Sequence, residues 1–347
     1  MDRRKLLKAG AAGVALSAIG GGIWFKQRRD REQRRSEIIT GPWMELGPNS
    51  GQTRKGGPRA RSHSWLLPEL QGATMVVPDR PHRIDEAMQA GHRAGMKRTR
   101  SFTVSTSQQR LRDGYAGPKP KGQLRVLAVG DSVTFGWGVK REQSWPAQLQ
   151  VRLQAQGLDT RVLNCGVPAN PLHTMAAFIT TVGKRHQPDL VLFCRRPQGP
   201  QAHEYGRAWQ AAKRAGVPML PCLPPISRFD LMGMRMYRQE GALIEQITGI
   251  KPVELTDDIR SAQGQRGFGV RSAGQQVELY NLESGEVLAN DTAPQRDLPA
   301  NFYEIIDANK DITEPLMFDS GHPDAAGFEV VADTLTQAIL ERGLLKA

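Results

Sequence analysis

The chain has 347 residues, of which 39% are hydrophobic, and it carries a formal net charge of +12. This length exceeds the usual size of a single domain, so a main body with additional segments is expected. The charge is unevenly divided, with a net +13 on residues 1–120 and a net −1 on residues 121–347. A polynucleotide enzyme would also be expected to carry basic residues on its main body, so we predict no nucleic-acid partner.

The first 35 residues resemble a twin-arginine export signal. Arg3 and Arg4 stand before a Leu-Leu-Lys sequence and a weakly apolar stretch at 9–25, a pattern typical of such signals. Residues 26–35 contain six basic and two acidic side chains, which can lie against anionic lipid headgroups. We therefore predict an uncleaved membrane tether that places the body on the periplasmic or extracytoplasmic face. The excess of basic residues after the stretch favours the alternative, a membrane-attached body in the cytoplasm.

Two segments separate this signal from the main body. Residues 36–62 are basic and rich in Gly and Pro, which indicates a linker. Residues 63–122 contain some apolar sequence, a predicted short helix at 84–96 and a predicted strand at 101–106, and they end in a turn-rich stretch. Because this is too little for an independent core, we interpret 63–122 as an accessory segment packed on the main domain.

From residue 123 onward, apolar runs of strand length alternate with helical patterns. The runs lie at 124–129, 160–165, 189–194 and 217–222, and the helical patterns at 145–156, 173–185 and 201–215. Such alternation indicates a parallel sheet covered on both faces. A fifth short strand is expected at 253–255, a hairpin at 276–288 and a last helix at 325–342. The predicted fold is therefore an α/β protein, a three-layer α/β/α sandwich around a parallel five-stranded sheet.

The cysteines each end one of the apolar runs. Cys165, Cys194 and Cys222 are expected along one edge of the sheet, where we interpret them as small buried side chains. A bridge between Cys194 and Cys222 stays open if the compartment is oxidising. The histidines lack the spacing of a metal site, so we predict no metal and no cofactor.

Two short motifs carry the candidate chemistry. The first predicted strand runs directly into Gly130-Asp131-Ser132, which places a serine at the carboxyl end of a strand, where ligands bind in open α/β sheets. Asp319 and His322 stand three apart just before the last helix. A serine hydroxyl needs a base within hydrogen-bond reach and a carboxylate that orients that base. Ser132, His322 and Asp319 are therefore candidates for a catalytic triad.

Together, the motifs of residues 124–347 resemble the SGNH (GDSL-type) hydrolase family. The Gly-Asp-Ser block, the glycine block at 164–168 and the Asp-x-x-His-Pro block at 319–323 occur in the family's order. The resemblance implies a flavodoxin-like fold in which Ser132 attacks an acyl carbon, His322 transfers protons and Asp319 fixes the imidazole. It also implies that the backbone N–H groups of Ser132 and Gly166 bind the oxyanion.

The chain departs from the family pattern after the third predicted strand. The family's Gly-x-Asn-Asp block is replaced by Cys194-Arg-Arg-Pro197, so Arg196 stands where an oxyanion-binding asparagine is expected. Losing one such donor typically costs about a hundred- to a thousandfold in rate. Arg196 could replace this donor, bind an anionic substrate group, or mark an impaired site. Asn170 could supply a substitute amide. The alternative for Arg195 and Arg196 is that they are solvated residues at a strand end.

The predicted function is hydrolysis of carboxylic esters through an acyl-serine intermediate. By the family's habit and the expected location, the substrate is an O-acyl group on a saccharide or a lipid. Two alternatives stay open: an acyltransferase acting on envelope or extracellular polysaccharide, and a catalytically impaired module that binds glycans. Trp137, beside the nucleophile, could form a wall of the acyl pocket or belong to the core.

Overall fold

The computed structural model describes residues 44–46, 64–66, 69–78, 99–112, 117–168, 172–179, 183–196, 202–273, 276–292, 302, 305, 309, 312–318 and 321–346. The predicted signal segment 1–35 and the predicted helix at 84–96 lie outside the described residues. Among the helices that are described, none is long and apolar enough to cross a bilayer.

Two antiparallel strand pairs precede the main domain. Strand β1 (Met44–Leu46) pairs with β2 (Ser64–Leu66), and β3 (Ala73–Pro78) pairs with β4 (Thr99–Val104). The apolar side chains of these strands pack against the main domain in one cluster, which contains Leu66, Met75, Phe102, Val104, Phe135 and Phe318. The accessory segment therefore shares a core with residues of the main domain.

The main domain is built on a parallel sheet of five described strands. These are β5 (Leu124–Gly130), β6 (Thr160–Gly166), β7 (Leu190–Cys194), β8 (Met219–Leu223) and β9 (Val253–Glu254). Their order across the sheet is β6-β5-β7-β8-β9, and every neighbouring pair is parallel. Strands β5 to β8 are nearly continuous runs of buried residues, which is why their sequences lack alternation.

Helices cover both faces of this sheet. They are α1 (Ser132–Phe135), α2 (Trp145–Ala155), α3 (Leu172–Phe178), α4 (Ala202–Arg214), α5 (Leu231–Thr248), α6 (Leu255–Gln263) and α7 (Ala325–Glu341). One core cluster joins the sheet to α2, α6 and α7, and a second joins it to α3, α4 and α5. The predicted three-layer α/β/α sandwich is confirmed.

The region between β8 and α7 is more regular than the sequence indicated. Helices α5 and α6 were not predicted, and the predicted hairpin is part of a three-stranded antiparallel sheet formed by β10 (Phe268–Ala273), β11 (Gln276–Asn281) and β12 (Val287–Thr292). Helix α5 contains Gly233 and Gly241, which weaken a helical pattern. Its ends are nevertheless set by a cap at Asp230 and a left-handed Gly249.

The strand order identifies where a ligand is expected to bind. The chain runs outward from β5 to β6 on one side, and then from β7 to β9 on the other. The carboxyl end of β5 is therefore a topological switch point, where neighbouring connections diverge and leave a crevice. Residues 130–132 lie at this point.

Helix α1 lies directly on the strand ends, and two glycines make the contact possible. A Cβ added to Gly166 would be 2.2 Å from the Phe135 nitrogen, and one added to Gly130 would be 2.0 Å from both the Cys194 carbonyl oxygen and Thr134 Oγ1. Thr134 Oγ1 also donates to the Cys194 carbonyl at 3.1 Å. Larger side chains would therefore push α1 off the sheet.

We expect Gly130→Ala to lower the free energy of unfolding by about 3 kcal/mol, because the new methyl group meets the Cys194 carbonyl oxygen and the branched Thr134 side chain at contact distances too short to tolerate. Gly206→Ala is the matched control. Its Cβ would meet only Ile247 Cγ2 at an ordinary 3.6 Å, so removing a glycine from α4 should stabilise the protein by up to about 1 kcal/mol. Urea denaturation followed by circular dichroism measures both, and equal effects of the two substitutions would contradict the close contact.

Candidate active site

Asp131 joins two strand ends to the start of α1. Its carboxylate is buried, with Oδ1 accepting from the Val133 N–H at 3.0 Å and Oδ2 accepting from the Arg196 N–H at 2.9 Å. The first bond is a helix N-cap, for which Asp is one of the preferred residues. The second ties the chain after β7 to the turn that follows β5. Asp131 therefore fixes the backbone that carries Ser132.

Ser132 and His322 are in hydrogen-bond contact. Ser132 Oγ lies 2.7 Å from His322 Nε2, although the residues are 190 positions apart. His322 is only 7% exposed, whereas Ser132 is partly exposed and accessible to a substrate. As the first residue of α1, Ser132 also has an N–H without a carbonyl partner inside the helix. The candidate nucleophile and the candidate base thus meet at the switch point of the sheet.

A narrow loop before α7 holds His322. The Phe318 N–H donates to the His322 carbonyl at 2.9 Å, the Asp324 N–H donates to the Leu316 carbonyl at 2.9 Å, and Met317 forms an antiparallel bridge with Pro323. These contacts join residues 316–318 to residues 322–324, so the two ends of the loop are held together. Asp319 lies in the part of this loop that is outside the described residues, so its role as the orienting carboxylate stays a prediction.

Two aromatic rings lie near the imidazole of His322. The Phe318 ring stacks on His322 with centroids 5.6 Å apart, and the Trp137 ring lies 6.2 Å from it. Trp137 in turn contacts Phe102 of β4 edge to face at 5.8 Å. Trp137 is partly exposed, so it belongs both to the core cluster and to the wall of the site. The accessory segment therefore reaches the immediate surroundings of the base.

The predicted oxyanion donors differ in their placement. The Gly166 N–H donates to Asn164 Oδ1 at 3.0 Å, and Asn164 Nδ2 donates to the Phe135 carbonyl. Binding of an oxyanion by the Gly166 N–H stays a prediction, and it would require this bond to be shared or broken. The lack of a side chain at Gly166 also allows the backbone of α1 to pack directly against it. Asn170 lies outside the described residues.

Arg196 contacts the loop that carries the base. Its Nη2 forms an ion pair with Asp230 Oδ2 at 2.9 Å, at the start of α5. A Cβ added to Gly321 would be 2.1 Å from Arg196 Nη1, so the guanidinium lies against the residue next to His322. With 22% of its side chain exposed, Arg196 is not a freely solvated residue at a strand end.

Arg195 is not solvated either. It is 1% exposed, and its charge acts on the Tyr205 hydroxyl, which donates to Glu240 Oε1 at 2.6 Å. Burial, with Glu240 beside it, raises the pKa of Tyr205 well above its ordinary value. The interpretation of Arg195 as a solvated residue is therefore wrong: its side chain is buried, and the polar pair of Tyr205 and Glu240 is near enough to interact with its charge.

The cysteines are free thiols in the interior. Cys194 and Cys222 occupy paired positions on β7 and β8, and Cys165 is likewise buried without a disulfide. Burial raises the pKa of Cys194 well above its ordinary value, and it raises that of Cys222 as well. Because the thiolate is the reactive form, these groups are not candidates for the nucleophile.

Sequence reasoning missed Arg112, whose side chain reaches the end of α1. Its contacts are with backbone carbonyls, which leave no signature in the sequence. Sequence reasoning also missed Phe318, which directly precedes Asp319 in the chain and whose ring stacks on the His322 imidazole.

The sequence matches no protein-family model and no curated protein. Several solved structures are similar to it. TesA is 16% identical, with 64% of this chain and 99% of TesA covered and a TM-score of 0.41. The acetyl xylan esterase AlAXEase is 16% identical, with coverages of 62% and 100% and a TM-score of 0.38. The psychrotrophic esterase EstA from Pseudoalteromonas sp. is 12% identical, with coverages of 63% and 97% and a TM-score of 0.40. At these identities the similarity concerns the fold alone.

Proposed function

We propose that the protein hydrolyses carboxylic esters through an acyl-serine intermediate. The observation that carries this proposal is the 2.7 Å contact between Ser132 Oγ and His322 Nε2 at the carboxyl end of β5. In the first step, Ser132 Oγ attacks the acyl carbon while its proton passes to Nε2. The ester bond then breaks as Nε2 returns the proton to the leaving alcohol. Water next attacks the acyl-serine while its proton passes to Nε2, and the acid is released as Nε2 returns the proton to Ser132 Oγ.

The negative charge that develops on the acyl oxygen needs donors near Ser132. The Ser132 N–H at the start of α1 is the donor that the geometry favours. Gly166, Asn170 and Arg196 stay candidates for further donors, and Asp319 for the group that orients the imidazole. The substrate that we propose is an O-acyl group on a saccharide or lipid. Trp137 offers such a substrate a flat apolar surface beside the base.

Ser132→Ala should abolish hydrolysis of short-chain aryl esters, lowering kcat/KM by at least about a thousandfold, because no other group replaces the attacking oxygen. Labelling by a fluorophosphonate should be lost in parallel. The control is Ser261→Ala, which removes an exposed serine of α6 and should leave both signals unchanged. Absence of labelling in the folded wild-type protein would contradict the proposal and favour a glycan-binding module.

The same assay separates hydrolysis from acyl transfer. Adding a sugar acceptor should not raise the rate at which aryl alcohol is released by a hydrolase, since water resolves the acyl-serine. Release that rises with acceptor concentration, with acylated sugar as product, would instead establish an acyltransferase that uses the same Ser132 and His322.

We also propose that Arg196 supports turnover by holding the loop of His322. Its guanidinium lies on Gly321 and is paired with Asp230, so it links α5 to the residue next to the base. The ion pair is partly exposed and contributes at most about 1 kcal/mol to stability. Its larger effect is expected on geometry, because small displacements of catalytic groups reduce rates strongly.

Arg196→Asn should lower kcat about tenfold, because a shorter side chain leaves the loop without this support. Asp230→Asn retains a good helix cap but removes the ion pair, so a smaller loss of about threefold is expected. Asp333→Asn, which breaks an exposed ion pair with Arg152, is the control that should leave kcat unchanged. A rise in kcat for Arg196→Asn would show instead that the arginine is an inferior replacement for an asparagine donor.

The location that we propose is the extracytoplasmic face of the membrane, reached through the N-terminal segment. Support comes from the paired Arg3 and Arg4 before a weakly apolar stretch. The conservative double substitution Arg3→Lys with Arg4→Lys should retain the protein in the cytoplasm. Arg28→Lys with Arg29→Lys alters an equal pair after the stretch and should leave export unchanged. Cell fractionation measures both, and recovery of the wild-type protein from the cytosolic fraction would overturn the proposal.

A further inference from the structure

Helix α1, which begins at the nucleophile, is too short to hold its own shape. It contains four residues, and an isolated helix of this length is unstable because forming the first turn costs more than one or two hydrogen bonds return. Asp131 fixes the start of the helix. Its end, at the left-handed Gly136, needs a corresponding support for the carbonyls that have no partner within the helix.

Arg112 of the accessory segment provides this support. Its Nη1 donates to the Phe135 carbonyl and, at 2.6 Å, to the Gly136 carbonyl, while Nη2 donates to the Val139 carbonyl at 2.6 Å. The side chain is 1% exposed, and its guanidinium lies 4.3 Å from the centroid of the Phe135 ring. A buried cation thus meets the end of α1, where the carbonyl oxygens carry partial negative charge.

The turn that Arg112 holds is also the surface against which the base packs. A Cβ added to Gly138 would be 2.6 Å from Phe318 Cε1, so the Phe318 ring rests on the backbone of this turn. Phe318 stacks on His322, and the ring of Trp137, in the same turn, has its centroid 6.2 Å from that of the imidazole. The positions of Ser132 and His322 therefore both depend on residues 135–139.

We propose that Arg112 is a positioning residue of the active site, one that sets the distance between Ser132 Oγ and His322 Nε2 without touching the substrate. This inference rests on the proposed function and extends it to the accessory segment. Residues 123–347 do not contain this support themselves, because Arg112 precedes them in the chain and belongs to the accessory segment.

Lysine cannot reproduce the contacts of Arg112. The guanidinium presents its donors in a rigid planar fork that spans the carbonyls of Phe135, Gly136 and Val139, whereas an ammonium offers its donors from one atom. Arg112→Lys retains the charge and much of the volume and changes only this geometry. It is therefore a sharper probe than Arg112→Met, which also removes the charge.

The chain contains a matched control in Arg125. This arginine is 2% exposed and donates to the carbonyls of His186 and Gly117. It stands near the amino end of β5, about 20 Å from Ser132 at the usual rise of a strand. Arg125→Lys therefore disturbs an equally buried arginine and its backbone carbonyls far from the site.

The experiment compares Arg112→Lys, Arg112→Met and Arg125→Lys in the full chain, with kcat, KM, the rate of fluorophosphonate labelling and Tm measured for each. We expect Arg112→Lys to lower kcat and the labelling rate by about ten- to a hundredfold, with KM changed less than about twofold. Arg125→Lys should lower Tm by a similar amount but leave kcat and labelling within about twofold. Should both Arg112 variants fail to fold, Phe102→Leu is a milder test: it removes a ring that lies 5.6 Å from the Arg112 guanidinium and also contacts Trp137, and a several-fold loss of kcat and labelling is expected from loosening the two contacts together.

Two results would overturn the inference while leaving the proposed function intact. One is an Arg112→Lys variant that folds and retains wild-type kcat and labelling. The other is an equal loss of kcat in Arg112→Lys and Arg125→Lys, which would indicate general destabilisation. A wild-type protein that is neither active nor labelled would refute the proposed function itself, and the positioning role with it.

Discussion

The two hydrogen bonds of the Asp131 carboxylate are the interaction on which the site depends. One oxygen starts α1 and the other holds the Arg196 N–H beyond β7, so a single buried group sets the relation between two strands and the nucleophile. Because a buried carboxylate must have its hydrogen bonds satisfied, it tolerates little displacement. Gly130 and Gly166 allow α1 to approach the sheet closely enough for both bonds to form.

Arg112 and Phe318 extend this arrangement to the other end of α1 and to the base. Arg112 donates to backbone carbonyls at the end of α1. Phe318 packs on Gly138 in the turn after α1 and stacks on His322. Ser132 and His322, the proposed nucleophile and base, are thus held from two sides by groups that have no proposed part in bond making. Such supporting contacts are what reduce the reorganisation needed when a substrate reacts.

Much of this could be predicted from the sequence, for reasons that differ from element to element. The strands β5 to β8 were located because a strand buried on both faces has an unbroken apolar run. Ser132 and His322 were identified because their motifs stand beside the first strand and the last helix. Helices α5 and α6 were missed, since glycines and polar residues obscure their pattern. The burial of Arg195 was also missed, because the polar pair near it, Tyr205 and Glu240, comes from two later helices.

By itself, the sequence determined the fold class, the order of the strands along the chain and the candidates for the reacting side chains, since these depend on local pattern and residue type. Only the tertiary structure decided which groups support them. The 2.7 Å contact between Ser132 and His322 and the contact of Arg196 with Gly321 both join residues far apart in the chain. The physical reason is that backbone groups and close packing specify these contacts, and neither leaves a periodic signal in the sequence.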